Sequence, residues 1–222
     1  MKTDDLIDGL ARDVEPVRRL RHPWLRTTVW LAATTVYLSG VVLMMSPPGR
    51  LAAGLADLRF TLEQVAAALI GLTAGAAALA TVIPGRSLRI LLAPIVAGVL
   101  WLAIVVIGCA QDVLRYGASV PLETDWPCVA AILMGGLPPA VALVLMLRRG
   151  APLTPQLTLA LAGLSAAALA NISACLVRIH DTSTTVLLWH GTTLLLVCVL
   201  AGVLGKAVLK WKPPALPSLR AS

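Results

Sequence analysis

The sequence predicts an all-α integral membrane protein: a bundle of six transmembrane helices, both termini cytoplasmic, with a short amphipathic cytoplasmic helix at the N-terminus. Three observations predict it. Hydrophobic residues make up 58% of the 222 residues and charged residues only 13%, and the mean hydropathy of +0.87 lies far above the range of a soluble domain. Six apolar stretches each approach the ~20 residues with which a helix crosses a hydrocarbon core of about 30 Å. Lys and Arg are distributed unevenly between the linkers.

The first span, Thr27–Met45, follows a charged leader. Its apolar run starts too late for a cleavable signal peptide, so it is expected to stay as an anchor. The second, Leu62–Ile83, contains Ala67, Ala68, Gly71, Ala74 and Gly75, a ladder of small residues with GxxxG at Gly71 and Gly75. The third, Leu88–Ile107, contains Pro94, and the fourth, Pro127–Leu147, contains Pro138 and Pro139. Prolines within spans free carbonyls that neighbours or water must satisfy, and each marks a kink or a hinge. The fifth, Gln156–Val177, repeats the small-residue device at Ala162, Ala166 and Ala170 and at Gly163 and Ala167. In lipid, helices associate by close backbone approach and polar contacts, so both ladders read as packing faces, internal to the bundle or between copies. The sixth span, Thr184–Leu209, carries Trp189, His190 and Cys198.

With the first span entering from inside, only Arg50, Arg59, Arg115 and Arg178 of the 18 Lys and Arg fall outside, leaving fourteen on the inner side. Basic residues beside spans resist translocation, so both termini are placed in the cytoplasm. The net charge of +7 is thereby a topology signal beside anionic lipid, without any direct binding of nucleic acid. Trp24, Trp126 and Trp211 fall at membrane interfaces, where indole prefers to sit. The organisation is then a cytoplasmic segment 1–25, a six-helix domain 26–210 and a cytoplasmic tail 211–222. No extramembrane region is large enough to fold alone, which excludes a large soluble catalytic domain.

The N-terminal segment predicts a short helix. Thr3 can cap it, Asp4 and Asp5 suit its positive end, and Pro16 ends or kinks it. Leu6, Ile7, Leu10, Ala11 and Val14 share one face, and Val17 and Leu20 continue it. That face can pack on the bundle, lie on the membrane or bind a soluble partner. Interfacial helices carry Lys and Arg opposite their apolar face and often aromatics within it. This segment has Asp4, Asp5, Asp8 and Asp13 and no aromatic residue up to Val17, which favours a groove on a partner protein.

Topology places Cys109, Cys128 and Cys175 at outer ends of spans three, four and five, and Cys198 deep in span six. In an oxidising compartment two neighbouring thiols can form a disulfide, and thiolates also bind soft metals. No CxxC is present, which argues against a thioredoxin-like motif, a structural zinc knuckle or a thiol–quinone oxidoreductase. Each cysteine alone also reads as a small buried apolar residue. Asn171, Cys175 and Arg178 share a helix stripe, on which Arg178 either activates the thiol or snorkels to the interface. Asp112, Glu123 and Asp125 read as solvated loop charges, help in binding a cation being the alternative, and Glu63 as hydrated near the outer surface. His180 reads as an interface residue and His190 as a hydrogen-bonded bundle residue, metal ligation being the sharper alternative for both. A small transporter would need buried ionisable residues near the midplane, and the spans carry almost none. No organic cofactor and no enzymatic activity are expected.

The opening Met1-Lys2-Thr3-Asp4-Asp5-Leu6-Ile7, then Leu10-Ala11, Asp13 and Pro16-Val17-Arg18-Arg19-Leu20, resembles the start of the NrsF family of bacterial membrane anti-sigma factors. Six spans, the Arg148-Arg149-Gly150-Ala151-Pro152 turn and Trp189-His190 are similar too. The resemblance implies a multi-pass protein of the bacterial inner membrane. Its N-terminal segment would hold an extracytoplasmic-function (ECF) sigma factor inactive, with Asp4, Asp5, Leu6, Ile7, Leu10, Asp13, Val14 and Val17 as binding residues. It further implies a cysteine pair that responds to heavy metal or oxidative stress. That pair maps onto Cys128 and Cys175, with Cys109 and Cys198 as extras and a transient heavy-metal ion as the one expected ligand.

Overall fold

Among the described residues the computed structural model has seven long or short helical elements and no strand. It describes residues 22–83, 87–117, 124–150, 152–178 and 182–210, together with Thr3, Ala11 and Gly85. In chain order they are α1 Pro23–Met45, α2 Arg50–Ala56, α3 Leu58–Thr81, α4 Leu92–Tyr116, α5 Trp126–Leu147, α6 Pro155–Val177 and α7 Ser183–Val208. A 3₁₀ turn, Leu88–Leu91, leads into α4, and α7 contains a π-helical segment, Val186–Gly191. All but α2 are long and apolar enough to cross a membrane.

Local chemistry sets the helix ends. Pro23, Pro127 and Pro155 stand in first turns, where a missing N–H breaks no helical bond. Asp57 caps α3 by accepting from the backbone N–H groups of Arg59 and Phe60 at 2.8 and 3.4 Å. That cap starts α3 at Leu58, four residues before the expected Leu62. Gly117, at φ +67°, ends α4 well beyond the expected Ile107. Pro94 lies in the first turn of α4 just after the 3₁₀ turn and so does not interrupt the span, whereas α5 runs on through Pro138 and Pro139.

The bundle is more polar and smaller-chained inside than out. Val36, Leu43, Val96, Met134 and Val203 point outward, while the interior is lined largely by alanine and glycine, the arrangement of helices embedded in lipid. α6 is the central helix and α3 the next most enclosed: 67% and 56% of their apolar windows are buried, against 22–28% in the other spans. Both small-residue ladders face inward. A Cβ on Gly71 would meet Leu169, and one on Gly75 would meet Ser165 and Trp30; Gly136 of α5 sits against Ala166 and Ala170, and Gly163 of α6 against Ala201 of α7. The core has two parts. One gathers Ile70, Trp101, Val105 and Ile132, and the other Trp30, Leu79, Leu143 and Leu147. We call the end of the bundle where α1 begins proximal, and the opposite end distal.

Candidate functional site

Three helices deliver polar side chains to one buried point at the distal end. Asp125 precedes α5, and its backbone carbonyl accepts from the N–H groups of Cys128 and Val129. A spacing of three residues puts the Asp125 carboxylate and the Cys128 thiol on the same side of that first turn. Near the end of α6, Asn171 and Cys175 stand one turn apart on an equally shared face. α7 supplies His190 from its π segment, a wider turn that often marks functional positions in helices. His190 and Cys128 are fully buried, and Asn171, Cys175 and Asp125 nearly so.

His190 is the hub. Its Nδ1 lies 2.6 Å from Asn171 Oδ1 and 3.4 Å from Cys175 Sγ. An amide oxygen only accepts, so Nδ1 carries the hydrogen and Nε2 is directed to the other side of the ring. There Nε2 meets Asp125 Oδ2 at 3.5 Å, and Asp125 Oδ1 pairs with Arg178 at 3.8 Å. The donor atoms of Asp125, Cys128 and His190 all lie within 4.8 Å of one another. Trp126 and Trp189 meet edge to face, ring centroids 5.1 Å apart, beside the residues that carry this cluster.

A second polar group adjoins the first. Ser183 donates to Glu63 Oε1 at 3.1 Å. Asp112 accepts from the Thr184 backbone N–H at 3.1 Å, from its hydroxyl at 3.3 Å and from Arg59 at 3.4 Å. A cavity of ≈ 30 Å³, room for a water molecule, lies between Glu63, Gln64, Cys175 and Ser183 and reaches Arg59 and Asp57. It brings Cys175 to the edge of a polar space.

Several expectations are corrected here. Asp112 and Asp125 are not solvated loop charges: they are 3% and 2% exposed, because α4 continues through Asp112 and His190 and Arg178 enclose Asp125. Glu63 is buried and accepts from Ser183, beside the cavity and not at an open surface. Arg178 engages Asp125, and His190 is a hydrogen-bonded bundle residue, as its sequence setting implies. The spans thus hold more buried ionisable groups than expected, yet these sit within roughly two turns of the helix ends, the acids and His190 distally and Arg26 proximally, and away from mid-length. Cys128 and Cys175 come together around His190. Cys109 is half-buried on α4 and Cys198 half-buried on α7. Asp4, Asp5, Leu6, Ile7, Leu10, Asp13, Val14 and Val17 lie outside the described residues, as do Glu123, His180 and Trp211.

At the proximal end, α1 is tied to α5. Arg26, buried at the base of α1, donates to the Met146 carbonyl, and Trp30 Nε1 donates to the Pro139 carbonyl at 2.9 Å. α5 therefore carries Cys128 at one end and the partners of α1 along its other half.

A family model described as NrsF, negative regulator of sigma F, matches residues 10–211 of the chain. No curated protein and no solved structure matches it.

Proposed function

The chain belongs to the NrsF family, the negative regulators of sigma F, and from that premise we propose that it is a membrane-bound anti-sigma factor for a sigma factor of the extracytoplasmic-function class. The family match over nearly the whole chain carries the reading. The segment 1–25 grips the sigma factor at the cytoplasmic face, with the proximal end inside and the distal end outside, the orientation favoured by the basic residues. Heavy metal or oxidation acts at Cys128 and Cys175, two thiols gathered about one imidazole. The change reaches the N-terminal segment through α5, whose hydrogen bonds with Trp30 and Arg26 join it to the helix that follows that segment.

The buried Glu63, Asp112 and Asp125 give a transporter reading more than the sequence did, but a carrier binds its cargo near mid-membrane, and these groups cluster at one end. The deciding experiment is affinity purification of the full chain in mild detergent beside a chain lacking residues 2–20. A sigma factor retained only by the full chain is expected. Equal retention by both removes the N-terminal grip, and retention by neither removes the anti-sigma reading.

A further inference from the structure

We propose that Asp125, Cys128 and His190 form a binding site for one divalent cation of borderline softness, of the zinc or cadmium kind. The inference rests on the sensing reading above for its consequence and on the geometry of the trio for its chemistry. An ion held by nitrogen, oxygen and sulfur sits about 2.0–2.3 Å from each donor, which separates tetrahedral donors by roughly 3.3–3.8 Å. The three donor atoms already lie within 4.8 Å of one another. Closing the site draws them together by about 1 Å, which side-chain rotations and a small shift of the start of α5 supply.

The tautomer of His190 points the same way. Asn171 Oδ1, at 2.6 Å, fixes the hydrogen on Nδ1, so the lone pair of Nε2 faces the Asp125 carboxylate at 3.5 Å. In the neutral ring Nε2 is thus a donor atom aimed at the carboxylate, the arrangement that a cation held between the two uses. Metal-bound histidines are held in this way, the second ring nitrogen donating to an oxygen outside the coordination shell. Cys128 is the third donor, and its thiol proton leaves when the ion binds, one proton released per ion. The donors alone balance the ion, a carboxylate, a thiolate and a neutral imidazole against two positive charges, and the half-exposed Arg178 guanidinium stays at the other carboxylate oxygen. That balance matters because the three donor side chains are themselves buried. The oxygen, nitrogen and sulfur set selects against the hard cations, which prefer oxygen alone. Cys175 lies on the Nδ1 side of the ring, so it belongs to the surroundings of the ion, and its own oxidation is a separate event.

The test is titration of the full chain, reduced and in lipid nanodiscs, with Cd²⁺. One equivalent is expected to bind with a thiolate-to-metal charge-transfer band. Cys128→Ser should abolish the band, and Asp125→Asn and His190→Gln should each weaken binding by at least about ten-fold, as Asn171→Ala should by loss of the supporting bond. Cys198→Ser should change nothing. X-ray absorption of the Cd²⁺-loaded native chain should show one sulfur among nitrogen and oxygen neighbours, a readout that holds even if a variant misfolds. No binding by the native chain, a band that survives Cys128→Ser, or a shell with two or more sulfurs would overturn the proposal. The two readings fail separately. A sigma factor co-eluting with a chain that binds no Cd²⁺ leaves the anti-sigma function standing. Cd²⁺ binding without a sigma partner leaves the site and removes its regulatory consequence.

Discussion

Trp30 and Gly75 should be energetically coupled, because the indole of α1 is wedged between α3 and α5. A Cβ built on Gly75 would stand 2.9 Å from Trp30 Cζ3 and 2.7 Å from Ser165 Oγ. Real side chains do not approach so closely, so Gly75→Ala must push Trp30 outward or force Ser165 from its bond to the Gly71 carbonyl. Overpacking of this kind costs about 1–3 kcal/mol. Trp30→Phe removes the donor to Pro139, worth about 0.6 and at most about 1.7 kcal/mol in a membrane bundle. It also removes ring atoms from a nearly closed site, for a total of about 1–2 kcal/mol. A phenyl ring is shorter and draws back from Gly75, so the space that the alanine needs is partly made. The double variant should therefore be less destabilised than the sum of the singles by about 0.5–1.5 kcal/mol. The assay is reversible unfolding in mixed micelles by increasing SDS, on the native chain, both singles and the double. Additivity within about 0.5 kcal/mol would refute the wedge.

Two further outcomes are expected. Gly205→Ala should cost about 3 kcal/mol or more in the same assay, since its Cβ would meet the unyielding backbone of α6 at 2.5 Å from Pro155 O and Gln156 Cα. Gly40→Ala, with nothing within 4 Å, should be neutral or slightly stabilising, and equal costs for the two would contradict the α6–α7 approach. Replacing both Cys128 and Cys175 by Ser should leave repression of a sigma-dependent reporter intact and abolish its induction by Cd²⁺ or oxidant, and normal induction would sink the sensor assignment.

The spans and their packing faces were legible because length, hydropathy and small-residue spacing are local properties. GxxxG at Gly71 and Gly75 and the alanines of α6 meet each other and their neighbours as their spacing implies. The helix ends were less legible. The run of α4 through Asp112 depends on whether a charged residue near a span finds a buried partner, here Thr184, which sequence spacing does not supply, whereas the cap at Asp57 bonds only to N–H groups two and three residues on. Asp125 looks solvated in the sequence for the same reason, since its partners His190 and Arg178 lie far along the chain. One signal was available: Asp125 and Cys128 are three residues apart at a helix start, which places a carboxylate and a thiol side by side. The role of His190 as hub was not readable, because it needs the ends of three helices to converge and a π segment to aim the ring.

The magnitudes constrain how a distal event can reach α1. Moving a two-state regulator from 1:99 to 99:1 takes about 5.5 kcal/mol. The two hydrogen bonds between α1 and α5, from Trp30 and Arg26, are worth about 0.6 kcal/mol each by the average for membrane bundles. Breaking both leaves most of the requirement unmet, so these bonds set the register of α1 on α5 and do not themselves drive release. Close packing contributes more than these bonds do, and there α5 meets α6 through Gly136 against Ala166 and Ala170, a contact with little slack. A pull on Cys128 would then displace α5 as a rigid rod along α6, and α1 would follow through the Trp30 wedge, which joins α1 to both α3 and α5. On this account the weak hydrogen bonds are dispensable for induction while the wedge is not. Arg26→Gln should leave the response to Cd²⁺ largely intact, whereas Trp30→Ala, which removes the wedge, should lose the coupling even where it still folds and represses.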